Sequence, residues 1–412
     1  MISKALILAA GDNKRMKPLS DLRNKSLLPV ANKAIISRSL ASLKQAGITE
    51  AILIVNPKNE VEKQLGAEHE GIKLSYTVQP EPLGTAHAIS MAKDQISEDF
   101  LVLNGDDFCN SEHLKNLLSS HKTKATVSVI KKTDPKGLGV VEVENNLVKS
   151  LVEKPESAEG EHFVNIGIYA FSPEIFATIE TLEKSERGEY EITDAITKLI
   201  PDGVSAITAD SWLPINYPWD LLIANKQFID EIPEDIKTEF DHGVTVKGKL
   251  VAGAGTFIKA GVYIEGPVLI GKNCTIGPNA FLRAYTCIGD NCKIGQGVEV
   301  KNSIIMDGTC VPHLSYIGDS VIGRNVNFGA GAIMTNLRHD DQNVLVYVKG
   351  VQTDSGLRKL GAIVGDTVKF GSNVVVTPGK KIGSGSRIWP GLVVYKDVEE
   401  NSEYKGQASE IK

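Results

Sequence analysis

The sequence has no run rich in lysine and arginine and no long apolar run. Its formal net charge is −6 and no basic cluster stands out, which argues against non-specific binding to nucleic acid. The apolar runs are far shorter than the ~20 residues that cross a bilayer, and the opening segment ISKALILAAG lacks the pattern of a signal peptide. We therefore expect a protein that binds neither nucleic acid nor membrane.

Cysteines are few, and none of them has the paired spacing typical of a metal site. Their odd number predicts a reducing, cytoplasmic environment rather than a disulfide framework. Charged residues make up 23% and hydrophobic residues 42% of the chain, as in globular proteins. A length of 412 residues predicts two or three domains, each large enough for a core. The cysteines are Cys109, Cys274, Cys287, Cys292 and Cys310.

A large aliphatic residue recurs at nearly every sixth position between residues 244 and 306. A second row of mostly apolar residues runs two positions earlier, and glycine often follows the main row, where we expect turns with positive φ. A six-residue period is typical of a parallel β-helix, in which inward aliphatic side chains stack as ladders. The main row is Val246, Ala252, Ile258, Ile264, Ile270, Ile276, Leu282, Ile288, Ile294, Val300 and Met306.

The repeat is interrupted and then resumes. It slips by one position after Pro312, leaves the period over residues 337–359 and returns from Val364 to Val394. Insertions into such repeats map to loops on one face, which often bind ligands. The interruption contains His313 and His339, so it is either a functional region or an ordinary irregularity of the repeat.

The N-terminal half alternates strand-like and helical segments. The predicted strands lie at 4–10, 51–55, 73–78 and 99–105, with helices near 33–46, 58–66 and 84–95. This alternation predicts βαβ units and a parallel sheet, whose ligands bind beyond the carboxyl ends of the strands.

Two clusters of polar residues follow predicted strands. The loop with Gly11, Lys14 and Arg15 offers N–H groups and cations to phosphate, although glycine is also common in plain turns. Asp106 and Asp107 suit Mg²⁺, which takes a carboxylate together with phosphate oxygens, but aspartate pairs also cap turns. The segment QPEPLGTAHAI (79–89) either reads a nucleotide base through Gln79 or simply opens a helix.

Taken together, these clusters resemble the sugar-1-phosphate nucleotidylyltransferases across residues 1–228. The C-terminal half resembles the acetyltransferase half of the bifunctional glucosamine-1-phosphate acetyltransferase/N-acetylglucosamine-1-phosphate uridyltransferases, most closely the archaeal form. The motifs of the first half are LAAG (8–11), Arg15, Lys25, PLGTAHA (82–88), GD (105–106), EKP (153–155) and NIGIY (165–169). Those of the second half are KNS (301–303), HLSYIGDSVIG (313–323), NFGAGAIMTN (327–336) and RKLGA (358–362).

The resemblance implies an α/β nucleotidyltransferase domain with a Rossmann-like, mixed but mostly parallel sheet at 1–228. It further implies a linker at 229–243, a left-handed parallel β-helix of hexapeptide repeats at 244–398 and a polar tail at 399–412. Such coil stacks imply a homotrimer assembled through the β-helix, with each acetyl site at a subunit boundary.

For the first domain, the resemblance implies transfer of a nucleotidyl group from UTP or dTTP to a sugar-1-phosphate with Mg²⁺. Arg15 and Lys25 match the catalytic residues that hold the triphosphate, and Asp106 matches a metal ligand. The remaining matches are substrate-binding positions: Leu8, Ala10, Gly11, Gln79, Gly84, Thr85, Gly139, Glu153, Lys154 and Asn165.

For the second domain, the resemblance implies acetyl transfer from the co-substrate acetyl-CoA to the amine of an amino-sugar-1-phosphate. His313 matches the general base, a role that suits an imidazole because its ordinary pKa lies near neutral pH. Ala330 matches a residue along the acetyl-CoA path. The sugar-binding matches are Arg283, Lys301, Tyr316, Asn327, Asn336 and Lys359.

The sequence departs from the family pattern at two places. The first loop carries Asn13 and Lys14 where Gly and Thr are usual, and Asp12 adds a negative charge at the variable position between them and Gly11. Asn13 can keep the loop shape because asparagine tolerates left-handed backbone. Pro214 stands where relatives carry a metal-binding Asp, so Asn216 is the candidate second ligand.

Three interpretations follow. The first is the bifunctional enzyme that makes UDP-N-acetylglucosamine. The second is a glucose-1-phosphate uridylyl- or thymidylyltransferase with a non-catalytic β-helix, against which the joint presence of His313, Arg283 and Lys301 argues. The third is a non-enzymatic, exchange-factor-like subunit, against which Asp106, Lys25 and Arg15 argue. The sugar stays open between glucosamine, galactosamine and glucose, and the base between uracil and thymine.

Overall fold

The computed structural model describes residues 2–155 and 160–406. The chain divides into two compact units. The first, the sheet unit, combines the residues up to Asp12 with Ile35–Pro214. The second, the coil unit, combines Asn13–Ala34 with the residues from Ile215 onward.

The sheet unit is built on a ten-stranded sheet. Its strands, in spatial order, are Val140–Glu144, Leu147–Val152, Val204–Thr208, Ala125–Lys132, His162–Phe171, Phe100–Asn104, Lys4–Ala9, Glu50–Val55, Ile72–Val78 and Glu68–His69. All four strands predicted from the sequence are present.

The expectation of a mostly parallel sheet holds for one half only. Lys4–Ala9 pairs in parallel with Glu50–Val55 and with Phe100–Asn104, but His162–Phe171 runs antiparallel to both of its neighbours. At the far edge, Asn145 and Asn146 both have positive φ and form a tight hairpin turn, which joins antiparallel strands. The prediction was wrong there because a two-residue turn leaves no room for a crossover helix.

Helices accompany the sheet, and its core is aliphatic and aromatic, with Phe100 stacked on Phe176 at 5.5 Å between ring centroids. The α-helices are Ile35–Gln45, Glu60–Leu65, Thr85–Ser90, Ser111–Ser120, Ile175–Ile179 and Ile192–Leu199. Short 3₁₀ helices lie at Lys93–Gln95 and Ile200–Asp202, and the strands Asp107–Phe108 and Leu213–Pro214 pair antiparallel. The three helices predicted near 33–46, 58–66 and 84–95 correspond to the first three α-helices.

The coil unit stacks short strands in parallel on three faces, the arrangement of a parallel β-helix. One face holds Asp235–Ile236, Leu250–Ala252, Val268–Ile270, Cys287–Ile288, Ile304–Ile305, Val321–Ile322, Ile363–Val364 and Lys381–Ile382. The second holds Glu239–Phe240, Phe257–Ile258, Thr275–Ile276, Lys293–Gln296, Cys310–His313, Lys369–Phe370, Arg387–Ile388 and Glu403–Tyr404. The third holds Thr245–Lys247, Tyr263–Glu265, Phe281–Leu282, Glu299–Lys301, Tyr316–Gly318, Ile333–Met334, Val375–Val376 and Val393–Val394.

The main aliphatic row forms the core of this stack, apart from its two ends. Val246 is exposed, and Met306 is buried but lies outside the core cluster, where Ile305 takes its place. The glycines that follow the row act differently from our expectation, because Gly277 has positive φ but Gly271, Gly289 and Gly295 do not. A Cβ at Gly271 or Gly289 would collide with the neighbouring coil, so these positions need the small residue for close approach. Left-handed backbone is supplied instead by asparagines such as Asn273 and Asn291.

The interruptions of the repeat have clear structural counterparts. The register shifts by one residue earlier than the sequence suggested, because Leu282 aligns with Val300 but Ile288 aligns with Ile305 rather than with Met306. The residue is lost between Val300 and Ile305, before Pro312, and Val300 then aligns with Ile317 in the shifted register. Within residues 337–359, Leu345–Val348 and Val351–Asp354 pair as an antiparallel hairpin.

The predicted linker and tail were drawn too wide. The helix Asp220–Glu231 runs past residue 228, and the strand Asp235–Ile236 already pairs with the first coil, so the stack begins inside the predicted linker. At the other end, Glu403–Tyr404 pairs with Arg387–Ile388 inside the predicted polar tail. These end strands are rich in polar residues and lack the aliphatic period that marked the rest, although Tyr404 packs against the core. Residues 407–412 of that tail lie outside the described residues.

The segment Asn13–Ala34 belongs to the coil unit, although the sequence placed it in the first domain. It contains the 3₁₀ helices Lys14–Met16 and Lys25–Leu27 and the paired strands Pro29–Val30 and Lys33–Ala34. No helix within the two described ranges is long and apolar enough to span a bilayer.

Candidate active sites

The carboxyl end of the central strands carries the first predicted cluster. Leu8 aligns with Asn104 on the adjacent parallel strand, and the N–H of Gly105 donates to the Leu8 carbonyl oxygen at 2.9 Å. Ala9 and Ala10 are buried beside this junction. The structure therefore brings the predicted positions Leu8, Ala10 and Gly11 next to the loop that contains Asp106.

The two aspartates of that loop have different environments. Asp107 is buried and accepts a hydrogen bond from Asn104 Nδ2 at 2.9 Å, while Asp106 is half-buried. Within the described ranges, no group of three or more His, Cys, Asp and Glu side chains could hold a metal ion. Asp106 offers a single carboxylate, and Mg²⁺ in proteins is commonly bound by one or two carboxylates together with substrate phosphates.

Gln79, Gly84 and Thr85 form one connected loop. Gln79 is 5% exposed, and its amide nitrogen lies 3.3 Å from the Gly84 carbonyl oxygen and 2.9 Å from His87 Nδ1, which leaves the amide oxygen to accept from a ligand. Gly84 has φ +106°, and a Cβ there would lie 2.5 Å from the carbonyl oxygen of Tyr190. Only glycine fits this position, where the loop passes against residue 190.

A third group joins Gly139, Glu153 and Asn165. The Asn165 N–H donates to the Gly139 carbonyl at 2.8 Å, and Asn165 Nδ2 donates to Tyr169 Oη at 2.7 Å. Burial raises the pKa of Tyr169, so its phenol stays neutral. A Cβ on Gly139 would lie 3.0 Å from Glu153 Oε2, and Lys154 Nζ lies 3.3 Å from Glu153 Oε1.

Arg187 is a neighbour of this group that the sequence analysis missed. Its Nη2 lies 2.6 Å from Glu191 Oε1 and 3.6 Å from Glu153 Oε1. A lone arginine in a charged loop carries no sequence signal of its own, and only the fold brings it to Glu153.

In the coil unit, Arg15, Lys25 and Asn216 surround one carboxylate. Asp220 Oδ2 accepts the N–H groups of Asn216 and Tyr217, both at 2.7 Å. Burial raises the pKa of Asp220, and the positive charges of Lys25 and Arg15 oppose that rise. The Arg15 guanidinium lies 6.0 Å from the ring centroid of Tyr217. Asn13 has φ 55°, as expected for a loop that keeps its shape without glycine.

Asp319 organises the predicted acetyl site, although no role was predicted for it. It is 4% exposed, and its carboxylate lies 3.1 Å from Lys301 Nζ and 2.6 Å from Asn302 Nδ2. Asn336 Nδ2 donates to the same carboxylate and also to Tyr316 Oη at 3.1 Å. Burial, together with the Asp319 charge, raises the pKa of Tyr316, which keeps the phenol protonated.

The two predicted phosphate-binding cations lie one coil apart on the same face. Arg283 pairs with Glu299 at 2.9 Å, and its N–H donates to the Val300 carbonyl at 2.8 Å, one residue before Lys301. Gly318 occupies the same position in the next coil, where a Cβ would collide with the Tyr316 hydroxyl. Because Gly318 has no side chain, the Tyr316 hydroxyl can lie beside the cations.

The remaining predicted residues surround this face without joining the Asp319 cluster. His313 is exposed at the end of its strand, and its carbonyl accepts from Ser315 Oγ at 2.7 Å. Asn327 is exposed and forms backbone bridges to Cys310 and Lys369. Ala330 accepts the N–H of Asn373 at 2.8 Å. Lys359 is exposed and bridges Leu337 through its backbone.

Two family models match the chain. The Nucleotidyl transferase model matches residues 4–230, and the GMPPB C-terminal domain model matches residues 264–358. The fold and the strand-end cluster thus define a nucleotidyltransferase joined to a coil stack.

Curated relatives cover almost the entire chain. "Bifunctional protein GlmU" of Methanococcus maripaludis strain C7 is 44% identical over 97% of this chain and 96% of its own. The protein of the same name from Methanocaldococcus jannaschii is 40% identical over the same shares. The "Bifunctional sugar-1-phosphate nucleotidylyltransferase/acetyltransferase" of Sulfurisphaera tokodaii is 40% identical over 96% of this chain and 98% of its own. The chain belongs to this family of bifunctional GlmU-type nucleotidylyltransferase/acetyltransferases, which confirms the predicted family and the predicted pair of activities.

Proposed function

We propose that the chain acetylates glucosamine-1-phosphate, or galactosamine-1-phosphate, with acetyl-CoA and then transfers a uridylyl group from UTP to the product. Pyrophosphate and UDP-N-acetylglucosamine are the products of the second reaction. The observation that carries this proposal is the Asp319 cluster, which holds Lys301, Asn336 and Tyr316 together on one face of the coil stack. A coil stack that served only as a scaffold would not need a buried carboxylate that orders a cation.

Nucleotidyl transfer requires positioning and charge neutralisation rather than a protein nucleophile. Arg15 and Lys25 bind the triphosphate. The amide oxygen of Gln79 accepts the N–H of the uracil ring. Glu153, Lys154 and Asn165 hold the sugar and its phosphate, and Arg187 orients Glu153. The attacking oxygen belongs to the sugar phosphate.

Asp106 would hold the Mg²⁺ ion, which supplies charge neutralisation at the phosphates when it is bound. Asn216 stays a proposed second ligand through its amide oxygen. Its backbone N–H is already committed to Asp220, which fixes the residue without using its side chain.

Acetyl transfer requires that the sugar amine lose a proton before it attacks the thioester carbonyl. His313 accepts that proton, and the phenol of Tyr316 donates a hydrogen bond to the reacting groups. Arg283, Lys301 and Lys359 bind the sugar phosphate, and Asn327 and Asn336 contact the sugar and the thioester. Ala330 lies along the acetyl-CoA path. We also propose that the β-helix is left-handed, that three chains assemble through it and that the enzyme acts in the cytoplasm.

The test is thiol release from acetyl-CoA with glucosamine-1-phosphate, comparing wild type with His313→Ala and with His339→Ala as the matched control. A general base contributes roughly 10²–10⁴-fold. We expect a loss of that size for His313→Ala and no change for His339→Ala. Absence of release from wild type, with galactosamine-1-phosphate also inert, would instead favour the nucleotidylyltransferase with a non-catalytic β-helix.

A further inference from the structure

The segment Asn13–Ala34 carries both Arg15 and Lys25, yet it packs with the coils. Asn32 Nδ2 donates to the Ile288 carbonyl at 2.7 Å, and the Ser384 N–H donates to Asp21 Oδ2 at 3.2 Å. The residues that precede and follow this segment in the sequence belong to the sheet unit instead. The position of the segment is therefore set by contacts with the β-helix.

One of these contacts is a buried ion pair. The Arg23 guanidinium binds the Asp366 carboxylate through Nη2, and its Nη1 lies 3.3 Å from Met306 Sδ. Arg23 is 8% exposed and Asp366 is 6% exposed. An ion pair so far from water holds its geometry tightly, because breaking it would leave a charge buried without a partner.

Asp366 also belongs to a series of aspartates that hold successive turns of the stack. In each case the carboxylate Oδ1 accepts the N–H of a residue in the preceding coil: Asp290 from Lys272, Asp307 from Asp290, and Asp366 from Arg324. The turn uses only one oxygen of Asp366. The other oxygen binds Arg23, so this member of the series has a partner that the turn does not require.

We propose that the Arg23–Asp366 ion pair positions the Arg15 and Lys25 segment, so that Asp366 of the β-helix is a positioning residue for nucleotidyl transfer. The inference rests on the proposed roles of Arg15 and Lys25. On this proposal, the β-helix is required to hold Arg15 and Lys25 in place at the triphosphate. A misplacement of about 1 Å at a reacting group can cost on the order of 100-fold in rate.

The experiment uses the full chain with Asp366→Asn, Arg23→Met, the double variant, and Asp290→Asn as the matched control. Asn at 366 keeps an oxygen for the turn but removes the charge that holds Arg23. Asp290 holds an equivalent turn between Lys272 and Asp307. Arg23→Met leaves every residue of the stacked coils unchanged, so it tests the same ion pair if Asp366→Asn does not fold.

Three quantities are measured: pyrophosphate release with UTP and N-acetylglucosamine-1-phosphate, thiol release with acetyl-CoA, and UTP affinity by calorimetry. We expect both single variants to lower kcat/KM for UTP by about 10- to 100-fold while thiol release stays within about twofold of wild type. We expect the double variant to lose about as much as one single variant, because the two side chains act as one unit. Asp290→Asn should retain both activities.

Unchanged nucleotidyl transfer in Asp366→Asn and Arg23→Met would overturn the inference, and so would an equal fall in both activities. Failure of the proposed function has a different appearance, because wild type itself would then release no pyrophosphate. In that case, the UTP affinities of the variants still test the inference. Weaker UTP binding by Asp366→Asn than by Asp290→Asn supports the role proposed for the Arg23–Asp366 ion pair, and equal UTP binding refutes it.

Discussion

Replacement of Asp319 by Asn should selectively impair acetyl transfer. The carboxylate accepts from Lys301, Asn302 and Asn336, whereas an asparagine offers one oxygen and places an NH₂ group where the other stood. Each hydrogen bond to a charged group contributes about 1.5–3 kcal/mol. Loss of at least one such bond predicts a fall of about 10- to 100-fold in kcat/KM for the sugar phosphate, at about 1.4 kcal/mol per tenfold.

The assay is thiol release at varied glucosamine-1-phosphate, with pyrophosphate release from UTP measured on the same preparation. Asp340→Asn is the control, because this exposed carboxylate lies in the same interruption of the repeat and pairs with Arg338 at the surface. Acetyl transfer by Asp319→Asn within twofold of wild type would refute the role assigned to Asp319. An equal fall in both activities would show a loss of folding rather than of positioning.

Three further predictions concern other parts of the chain. Burial lowers the pKa of His113, so the free energy of unfolding should fall as the pH drops below about 6.5. Thermal unfolding measured across this pH range should show a weaker dependence on pH for His113→Gln, and an unchanged pH dependence would contradict the prediction. Gly84→Ala should abolish most nucleotidyl transfer, whereas Gly188→Ala should not. Both glycines have positive φ, but only at Gly84 would the added Cβ lie within 4 Å of other backbone atoms. Equal losses in the two variants would point to backbone strain alone. Glu299→Gln should lower the KM for the sugar phosphate a few-fold by releasing Arg283, and a higher KM would show that Glu299 orients the arginine instead.

Two kinds of feature could be predicted well from the sequence: the residues of the repeat, and the polar clusters that follow a strand. A six-residue aliphatic period is typical of a parallel β-helix, so the period alone was enough to place the inward row from Ala252 to Val300. The hairpin at Asn145 and Asn146 was missed because a short two-residue turn between strands was hidden among polar residues. It makes Val140–Glu144 and Leu147–Val152 antiparallel, although Val204–Thr208 in the same half pairs in parallel with Ala125–Lys132.

Contacts between distant positions could not be predicted in this way. Arg23 and Asp366 are 343 residues apart, and neither lies in a motif that sets it apart from an ordinary surface charge. Asp319 lies inside the motif HLSYIGDSVIG (313–323), but its side chain could only be identified as an anchor once the coils had brought Lys301 and Asn336 to it. The period of a repeat determines which side chains face the core. The partners of the side chains that face outward depend instead on how far each coil is offset from the next.

The two cations of the proposed acetyl site differ in how firmly they are held, and this difference suits their task. Arg283 and Glu299 are both more than a third exposed, so their ion pair is worth little, about 0–1 kcal/mol, and a sugar phosphate can replace the glutamate. Lys301 is held by a carboxylate that is 5% exposed in its side chain and that also binds two asparagines. The phosphate thus meets one cation that is already in place and a second that can exchange its partner, so binding requires little reorganisation of Lys301 and only a weak contact of Arg283 is lost.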